Sequence, residues 1–167
     1  MIFNFIFSGL LVTIVSLFLL IKYELGIYRL FALSSAGLIC LAALSLIVDY
    51  NTNNFYFQNV IVYNIGLEFL NVYISVGVDG LSLFFFILSS LLVFLCLLFI
   101  WDDESFKTNS INLLIINLFL LLVFSVLDLL LFYIFFEAIL IPMFIIIGLF
   151  GSRERKIRAV FFFFFTR

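Results

Sequence analysis

Long uninterrupted apolar runs constrain the fold of this chain more than any other feature. A helix needs about twenty apolar residues to cross the hydrocarbon core of a bilayer. The first run, 2–21, has that length and contains no charged residue. The 167 residues are 67% hydrophobic and 11% charged, which is more apolar surface than a water-soluble fold of this size can bury. We therefore expect an all-α membrane protein, because a helix pairs its own backbone groups inside lipid.

The apolar runs predict five transmembrane helices within a single membrane domain that covers residues 1–167. The expected helices lie at about 2–21, 30–48, 81–100, 111–127 and 129–150, and an incomplete further helix occupies 152–167. The first run is not a typical secretory signal, since Lys22 follows it and no basic segment precedes it. Asp79 and Asp128 stand directly before apolar runs, where their carboxylates can cap the free backbone N–H groups of a helix.

The segment 49–79 differs from these runs and is expected to be an external loop. Asn51, Asn53 and Asn54 are turn-forming residues, and the stretch 72–76 is rich in residues that favour strands. This pattern predicts a short hairpin at 55–78 that lies on the membrane surface.

Lysine and arginine indicate the orientation of the helices, because they are retained on the cytoplasm-like side of a membrane. Side A denotes the face of the membrane on which the N-terminus lies, and side B denotes the opposite face. With five spans, side A receives no basic residue, and Arg167 is left unplaced. Side B receives seven, which are Lys22, Arg29, Lys107, Arg153, Arg155, Lys156 and Arg158. This sorting supports the five-span interpretation and predicts that side B faces the cytoplasm or, in a mitochondrion, the matrix.

Glu137 is the one charged residue in the predicted span 129–150. It is the ninth residue of that span, about 12 Å from the side-A end and near the bilayer centre. Insertion of a carboxylate at this depth in the bilayer costs about 2.5–3.5 kcal/mol. Glu137 is therefore expected to pair with a cation, to stay protonated, or to alternate between these states. Because a nearby lysine favours the charged form and desolvation the neutral form, movement of the lysine would move a proton. Glu137 is therefore predicted to be a buried proton-relay carboxylate.

Pro142 is expected to kink the same helix, because it has no N–H to donate to the carbonyl of Ala138. A free carbonyl next to Glu137 would hold water, so Ala138 and Pro142 are the predicted supporting residues. The alternative is that Glu137 only hydrogen-bonds to a neighbouring helix while Pro142 shapes packing. Asn112 and Asn117 are interpreted as packing contacts between helices.

The chain contains no histidine, which excludes histidine-based haem, metal and catalytic sites. We predict no cofactor-binding and no metal-binding residues. The net charge of −2 and the lack of a basic tract over most of the chain argue against nucleic acid as a partner. None of the five predicted spans contains a lysine or arginine, so a basic partner for Glu137 has to come from another segment or subunit.

Four stretches of the chain resemble one protein family. The stretches Val126–Glu137 and Leu140–Met143 are similar to the fourth and fifth helices of the chain 4 family of mitochondrial NADH-ubiquinone oxidoreductase. Gly148–Ala159 continues the match, and Gly77–Phe85 resembles the start of the third helix. This family comprises antiporter-like membrane-arm subunits of respiratory complex I. The resemblance is specific from Gly77 to Ala159 and implies the N-terminal part of an antiporter-like helical fold.

The resemblance implies a proton-translocating subunit of NADH:ubiquinone oxidoreductase, which acts as an enzyme only within that complex and has no complete active site of its own. It implies that Glu137 pairs with a lysine on a later helix. It also implies the mitochondrial inner membrane, an N-terminus in the intermembrane space and the loop Arg153–Arg158 in the matrix. NADH, FMN, iron–sulfur clusters and ubiquinone are expected in other subunits. The expected partners are other membrane-arm subunits, one of which supplies the lysine, and the lipid bilayer.

Members of the family have many more helices than this chain, which ends at Arg167, a few residues into its further helix. A split gene, an unspliced exon, a fragment and a truncated reading frame are all compatible with this length, and the run Phe161–Phe165 suits a frame slip. Two other functions stay open. One is a non-catalytic structural or assembly subunit in which Glu137 is unpaired, and the other is a cation/proton antiporter subunit of the related family.

Overall fold

A computed structural model of the chain describes residues 2–22, 24–51, 56–64, 73–103 and 105–150. These residues form six helices and one hairpin, in agreement with the predicted helical membrane fold. In chain order the elements are α1 (Ile2–Leu20), α2 (Leu25–Asp49), β1 (Gln58–Asn64), β2 (Tyr73–Val78), α3 (Gly80–Phe99), α4 (Phe106–Ser125), α5 (Leu129–Ala138) and α6 (Leu140–Phe150). The incomplete helix expected at 152–167 lies outside the described residues.

The number of full spans differs slightly from the predicted five. Within the described residues, four helical segments are long and apolar enough to cross a membrane: Leu25–Val48, Gly80–Phe99, Phe106–Ser125 and Leu129–Gly148. The apolar helix Ile6–Leu20 is shorter. Helix α1 as a whole has 19 residues, Ile2–Leu20, and ends one residue before the predicted end. The chain turns there at Ile21 and Lys22, and the Ile21 carbonyl accepts a hydrogen bond from Lys107 Nζ.

Helices α2 and α4 begin five residues earlier than expected, at Leu25 and Phe106, and so include Arg29 and Lys107. The prediction that the spans contain no basic residue is therefore wrong at two helix ends. Both side chains reach polar groups at the side-B end, because a long charged side chain can keep its head group out of lipid. Arg29 donates to the carbonyl of Asp103 and lies 5.6 Å from the ring centre of Phe106.

Helix α4 lies at the centre of the bundle, where it contacts every other described helix and strand β2. In an 18-residue apolar window of α4, 56% of the residues are buried, against 11% in the corresponding window of Leu129–Gly148. This position follows from composition, because polar side chains of a spanning helix are stable where they face protein. Five polar residues of α4 are buried, namely Asn109, Ser110, Asn112, Asn117 and Ser125.

The hairpin predicted at 55–78 is confirmed: β1 and β2 pair antiparallel, with Gln58 opposite Val78. Its connecting residues, 65–72, lie outside the described part of the chain. Strand β2 also meets the segment between α4 and α5, where Val76 and Val126 form an isolated bridge. The backbone N–H of Leu127 donates to the carbonyl of Ser75 at 3.0 Å. The hairpin therefore holds the side-A end of the helix that carries Glu137.

Candidate functional site

The predicted span 129–150 consists of two helices, α5 and α6, that meet at Ile139. Helix α5 starts at Asp128, whose side chain accepts a hydrogen bond from the N–H of Leu130 at 3.0 Å. Asp79 caps α3 in the same way, through a capping box with Ser82. Both predicted caps are therefore present, and the side-A entry of the Glu137 helix is fixed.

Ile139, at the boundary between α5 and α6, lies three residues before Pro142 and has helical backbone angles of φ −61° and ψ −29°. Proline has no N–H, so the carbonyl of Ala138, four residues earlier, lacks its usual helical donor. The hydrogen bonds on either side are intact, from Ile139 to Phe135 at 3.2 Å and from Met143 to Ile139 at 3.3 Å. Pro142 itself is buried. The predicted supporting residues thus form the joint between α5 and α6, directly after Glu137.

Glu137 is the penultimate residue of α5, and its side chain is exposed. Protein atoms of the described residues do not cover the carboxylate, so the predicted burial of Glu137 depends on lipid or on another helix. The physical reason is that Leu129–Gly148 packs against the bundle along a narrow face and leaves most of its surface uncovered. Glu137 lies inside a membrane-length helix but faces away from the bundle. In a bilayer, that position needs cover from lipid or from another helix.

A groove of about 720 Å³ surrounds this carboxylate. Apart from Glu137 and the Tyr133 hydroxyl, its walls are apolar, with contributions from both sides of the interruption, including Phe136 of α5 and Ile141 of α6. The rings of Phe132 and Phe136 stack in parallel, 6.0 Å apart between centres, and form one wall. The groove is therefore apolar, elongated along the helix, and has one acidic side chain near its middle.

Tyr133 is the hydrogen-bond partner of Glu137: its Oη donates to Glu137 Oε1. Among the described residues Glu137 forms no ion pair, and Oε2 accepts no hydrogen bond. The sequence interpretation did not assign a role to Tyr133. The signal was present in the spacing, since residues i and i+4 of a helix lie on one face.

The asparagines of α4 occupy separate positions and do not line the Glu137 groove. Asn117 is 1% exposed, and its Oδ1 has no hydrogen-bond partner among the described residues. Asn112 is 7% exposed, and its Nδ2 likewise has none. The prediction that these amides bind neighbouring helices is thus not met for those two atoms.

Comparison with known proteins links these features to one family. The family described as NADH:quinone oxidoreductase/Mrp antiporter, TM, matches residues 126–167, which include the whole α5–α6 joint. NADH-ubiquinone oxidoreductase chain 4 of Chondrus crispus is 46% identical over 138 residues, which are 81% of this chain and 28% of that protein. The protein of the same name from Prototheca wickerhamii is 60% identical over 92 residues, 54% of this chain and 18% of that protein.

The Arabidopsis thaliana protein of that name is 41% identical over 143 residues, 84% of this chain and 29% of the relative. The fold is similar to a chain of respiratory complex I from Thermus thermophilus, with a TM-score of 0.74 and 31% identity. That match covers 93% of this chain and 31% of the bacterial one. The chain spans less than a third of the length of each of these relatives. Over the residues that match, it belongs to the NADH-ubiquinone oxidoreductase chain 4 family of complex I membrane subunits.

Proposed function

We propose that this chain contributes the proton-relay carboxylate Glu137 to the membrane arm of an NADH:ubiquinone oxidoreductase. The observation that carries the proposal is the position of this side chain. It lies in an apolar groove, at the interruption of a membrane-length helix, without a cation among the described residues. A carboxylate is costly in such a position unless it has a function or a partner.

The geometry suits a carboxylate that gains and loses a proton. One oxygen of Glu137 is held by Tyr133, while Oε2 is open towards a partner. In apolar surroundings an approaching lysine stabilises the ionised form, and its withdrawal favours the protonated form. The free carbonyl of Ala138 lies one residue away and offers an acceptor for a water molecule that carries the proton. Glu137 would then alternate between an ion pair and a neutral acid.

The partner lysine is proposed to come from another segment or subunit of the membrane arm, which would cover the groove. NADH, FMN, iron–sulfur clusters and ubiquinone are assigned to other subunits, so this chain would serve the oxidoreductase only as a proton-translocating part. We place it in the mitochondrial inner membrane, with side A towards the intermembrane space and Arg153–Arg158 towards the matrix. The charge distribution of the sequence supports this orientation.

Substitution of Glu137 by Gln in the assembled complex tests the proposal. The amide keeps the shape of the side chain and can still accept from Tyr133, but it cannot exchange a proton near neutral pH. We expect proton pumping per NADH oxidised to fall, while the complex still assembles. Glu24→Gln is the matched control, since Glu24 is exposed at the side-B entry of α2 and outside the groove.

Unchanged pumping in the Glu137→Gln variant would reject the relay and leave a structural or assembly function. A second candidate function arises because the matching family description also names Mrp antiporters. A cation/proton antiporter subunit would show transport that depends on external sodium. Pumping that is independent of sodium, but sensitive to Glu137→Gln, would support the relay within the oxidoreductase.

A further inference from the structure

A second pocket lies at the side-B end of the bundle, between α1, α4 and α6, with a volume of about 320 Å³. Three of its lining side chains can donate hydrogen bonds, and all three belong to the first two turns of α4: Lys107, Thr108 and Asn112. None of the described residues that line it has a carboxylate. The pocket thus offers donors and positive charge, which are the chemistry that binds an anion.

Asn112 is the residue that packing leaves unexplained. Its side chain is 7% exposed, yet its Nδ2 donates to no atom of the described residues. A buried donor without an acceptor costs about 1–3 kcal/mol, so such groups are rare in native proteins. The amide therefore points to an acceptor that the described residues do not supply.

The electrostatics of the pocket also favour an anion. Lys107 Nζ donates to the carbonyl of Ile21 at 2.7 Å, which fixes its positive charge beside the pocket. Lys107 is the second residue of α4, where the backbone N–H groups and the helix dipole add partial positive charge. Ser105, which precedes the helix, provides no side-chain cap for these N–H groups.

The rest of the pocket is apolar, with Phe18 from α1, Ile111 from α4 and Ile145 from α6. A small soluble anion would gain nothing from these walls, whereas the acyl chains of a lipid would pack on them. The pocket also lies at the basic end of the spanning helices, at the level where anionic headgroups meet a membrane protein. We infer that this pocket binds the phosphate group of an acidic phospholipid, with Asn112 and Thr108 as donors and Lys107 as the counter-charge.

Helix α4 offers a matched control for this inference, which does not depend on the proton-relay proposal. Asn109 is also 7% exposed and also has an unpaired amide atom among the described residues. That atom is the acceptor Oδ1, and Asn109 lines a different pocket that contains Asp103. An acceptor beside a carboxylate repels phosphate, so Asn109→Leu should leave acidic-lipid binding unchanged.

The test uses the chain in its native membrane complex, purified in a neutral detergent and washed free of bound lipid. Mixed micelles of phosphatidylcholine, with or without phosphatidylglycerol, are then added, and both lipid binding and thermal unfolding are measured. We expect Asn112→Leu and Thr108→Val to weaken phosphatidylglycerol binding about tenfold, because each removes one donor to a charged group. Phosphatidylglycerol should raise the unfolding temperature of the wild type and of Asn109→Leu. The rise in unfolding temperature should be smaller for Asn112→Leu and Thr108→Val.

The lipid-free samples separate loss of binding from loss of folding. Without phosphatidylglycerol, Asn112→Leu should unfold at the wild-type temperature or above it, because leucine removes an unpaired donor. Equal phosphatidylglycerol affinity of the wild type, Asn112→Leu and Thr108→Val would overturn the inference. A loss of phosphatidylglycerol affinity in Asn109→Leu as large as in the two pocket variants would also overturn it. Inorganic phosphate that displaces the lipid and raises the unfolding temperature equally would assign the pocket to a soluble anion and overturn the lipid assignment.

Discussion

Tyr133 Oη donates a hydrogen bond to Glu137 Oε1 across one turn of α5. The two side chains lie on the same helix face, and both line the apolar groove at the α5–α6 joint. Because the partner comes from the same helix, the contact does not depend on any neighbouring subunit. It therefore holds one oxygen of the carboxylate and leaves Oε2 without a hydrogen bond among the described residues.

The first prediction concerns this contact and the variant Tyr133→Phe, which keeps the ring and removes the hydroxyl. A hydrogen bond to a charged group contributes about 1.5–3 kcal/mol, so we expect the pumping rate to fall roughly tenfold. Assembly and unfolding temperature should stay near wild type, since Tyr133 is 60% exposed. An unaltered pumping rate in Tyr133→Phe would mean that the contact is incidental.

The second prediction uses a different tyrosine as the contrasting case. Tyr28 is fully buried, and its hydroxyl donates to the carbonyl of Lys107 at 3.2 Å and accepts from Ser110 Oγ at 3.3 Å. Tyr28→Phe removes both hydrogen bonds, but Ser110 Oγ still donates to the Lys107 carbonyl at 3.0 Å, so the expected cost is about 0.5–1.5 kcal/mol of stability. We expect a lower unfolding temperature in detergent and unchanged protons pumped per NADH. A pumping defect with normal stability would contradict the structural role assigned to Tyr28.

The third prediction concerns the joint itself. Pro142→Ala restores an N–H that can donate to the carbonyl of Ala138, so α5 and α6 should join into one regular helix. A proline inside a helix costs about 3 kcal/mol, and its removal should maintain or raise the unfolding temperature. Pumping should nevertheless fall, because the free carbonyl beside Glu137 disappears. Met143→Ala, one residue further along α6, is the control and should not alter pumping. An equal loss of pumping in Met143→Ala would show that the free carbonyl of Ala138 is not responsible.

Much of this fold was predictable because the bilayer restricts what an apolar run can form. The lengths of the runs predicted the helices, and the carboxylates of Asp79 and Asp128 predicted the caps. The early starts of α2 and α4 were not predictable from hydropathy. Their basic residues are accommodated by acceptors far along the chain, such as the Ile21 carbonyl for Lys107.

The candidate site was predictable in its residues but not in its environment. The depth of Glu137 in the bilayer depends only on its place in the apolar run. The direction in which its side chain points depends on which helices pack beside it. The run 129–150 is apolar all round apart from Glu137, so its sequence contains no stripe that separates a packed face from an open one. The contact with Tyr133 was not predicted, because a tyrosine is common in an apolar helix and does not by itself indicate a hydrogen bond to a neighbouring carboxylate.

The fourth prediction tests the side-A cap of α3. Asp79 accepts from the N–H of Gly80 at 2.7 Å, and its own N–H donates to Ser82 Oγ at 2.7 Å. Asp79→Ala removes the cap and should lower the free energy of unfolding by about 1 kcal/mol. Asp102→Ala removes the same charge from an exposed turn residue and should have little effect. Equal losses of stability in the two variants would show that charge, and not capping, is responsible.

The last prediction tests whether the hairpin supports the helix that carries Glu137. Gly77 is buried in β2, and a Cβ added there would lie 3.1 Å from Val60 Cγ2 and 3.2 Å from Leu127 Cδ1. Gly77→Ala should therefore push β2 away from the segment that enters α5, at a cost of about 1–3 kcal/mol. Because Leu127 directly precedes the Asp128 cap, we also expect fewer protons pumped per NADH.

Gly9→Ala is the matched control for this variant. An added Cβ at Gly9 meets no atom within 4 Å, and alanine stabilises a helix interior by about 0.5–1 kcal/mol relative to glycine. Gly9→Ala should thus raise the unfolding temperature slightly and leave pumping intact, while Gly77→Ala lowers both. If Gly77→Ala lowers stability but pumping stays at the wild-type ratio, the hairpin is only a structural element. A loss of both links the hairpin to the position of Glu137, because β2 meets the segment that enters α5 at Val126 and Leu127.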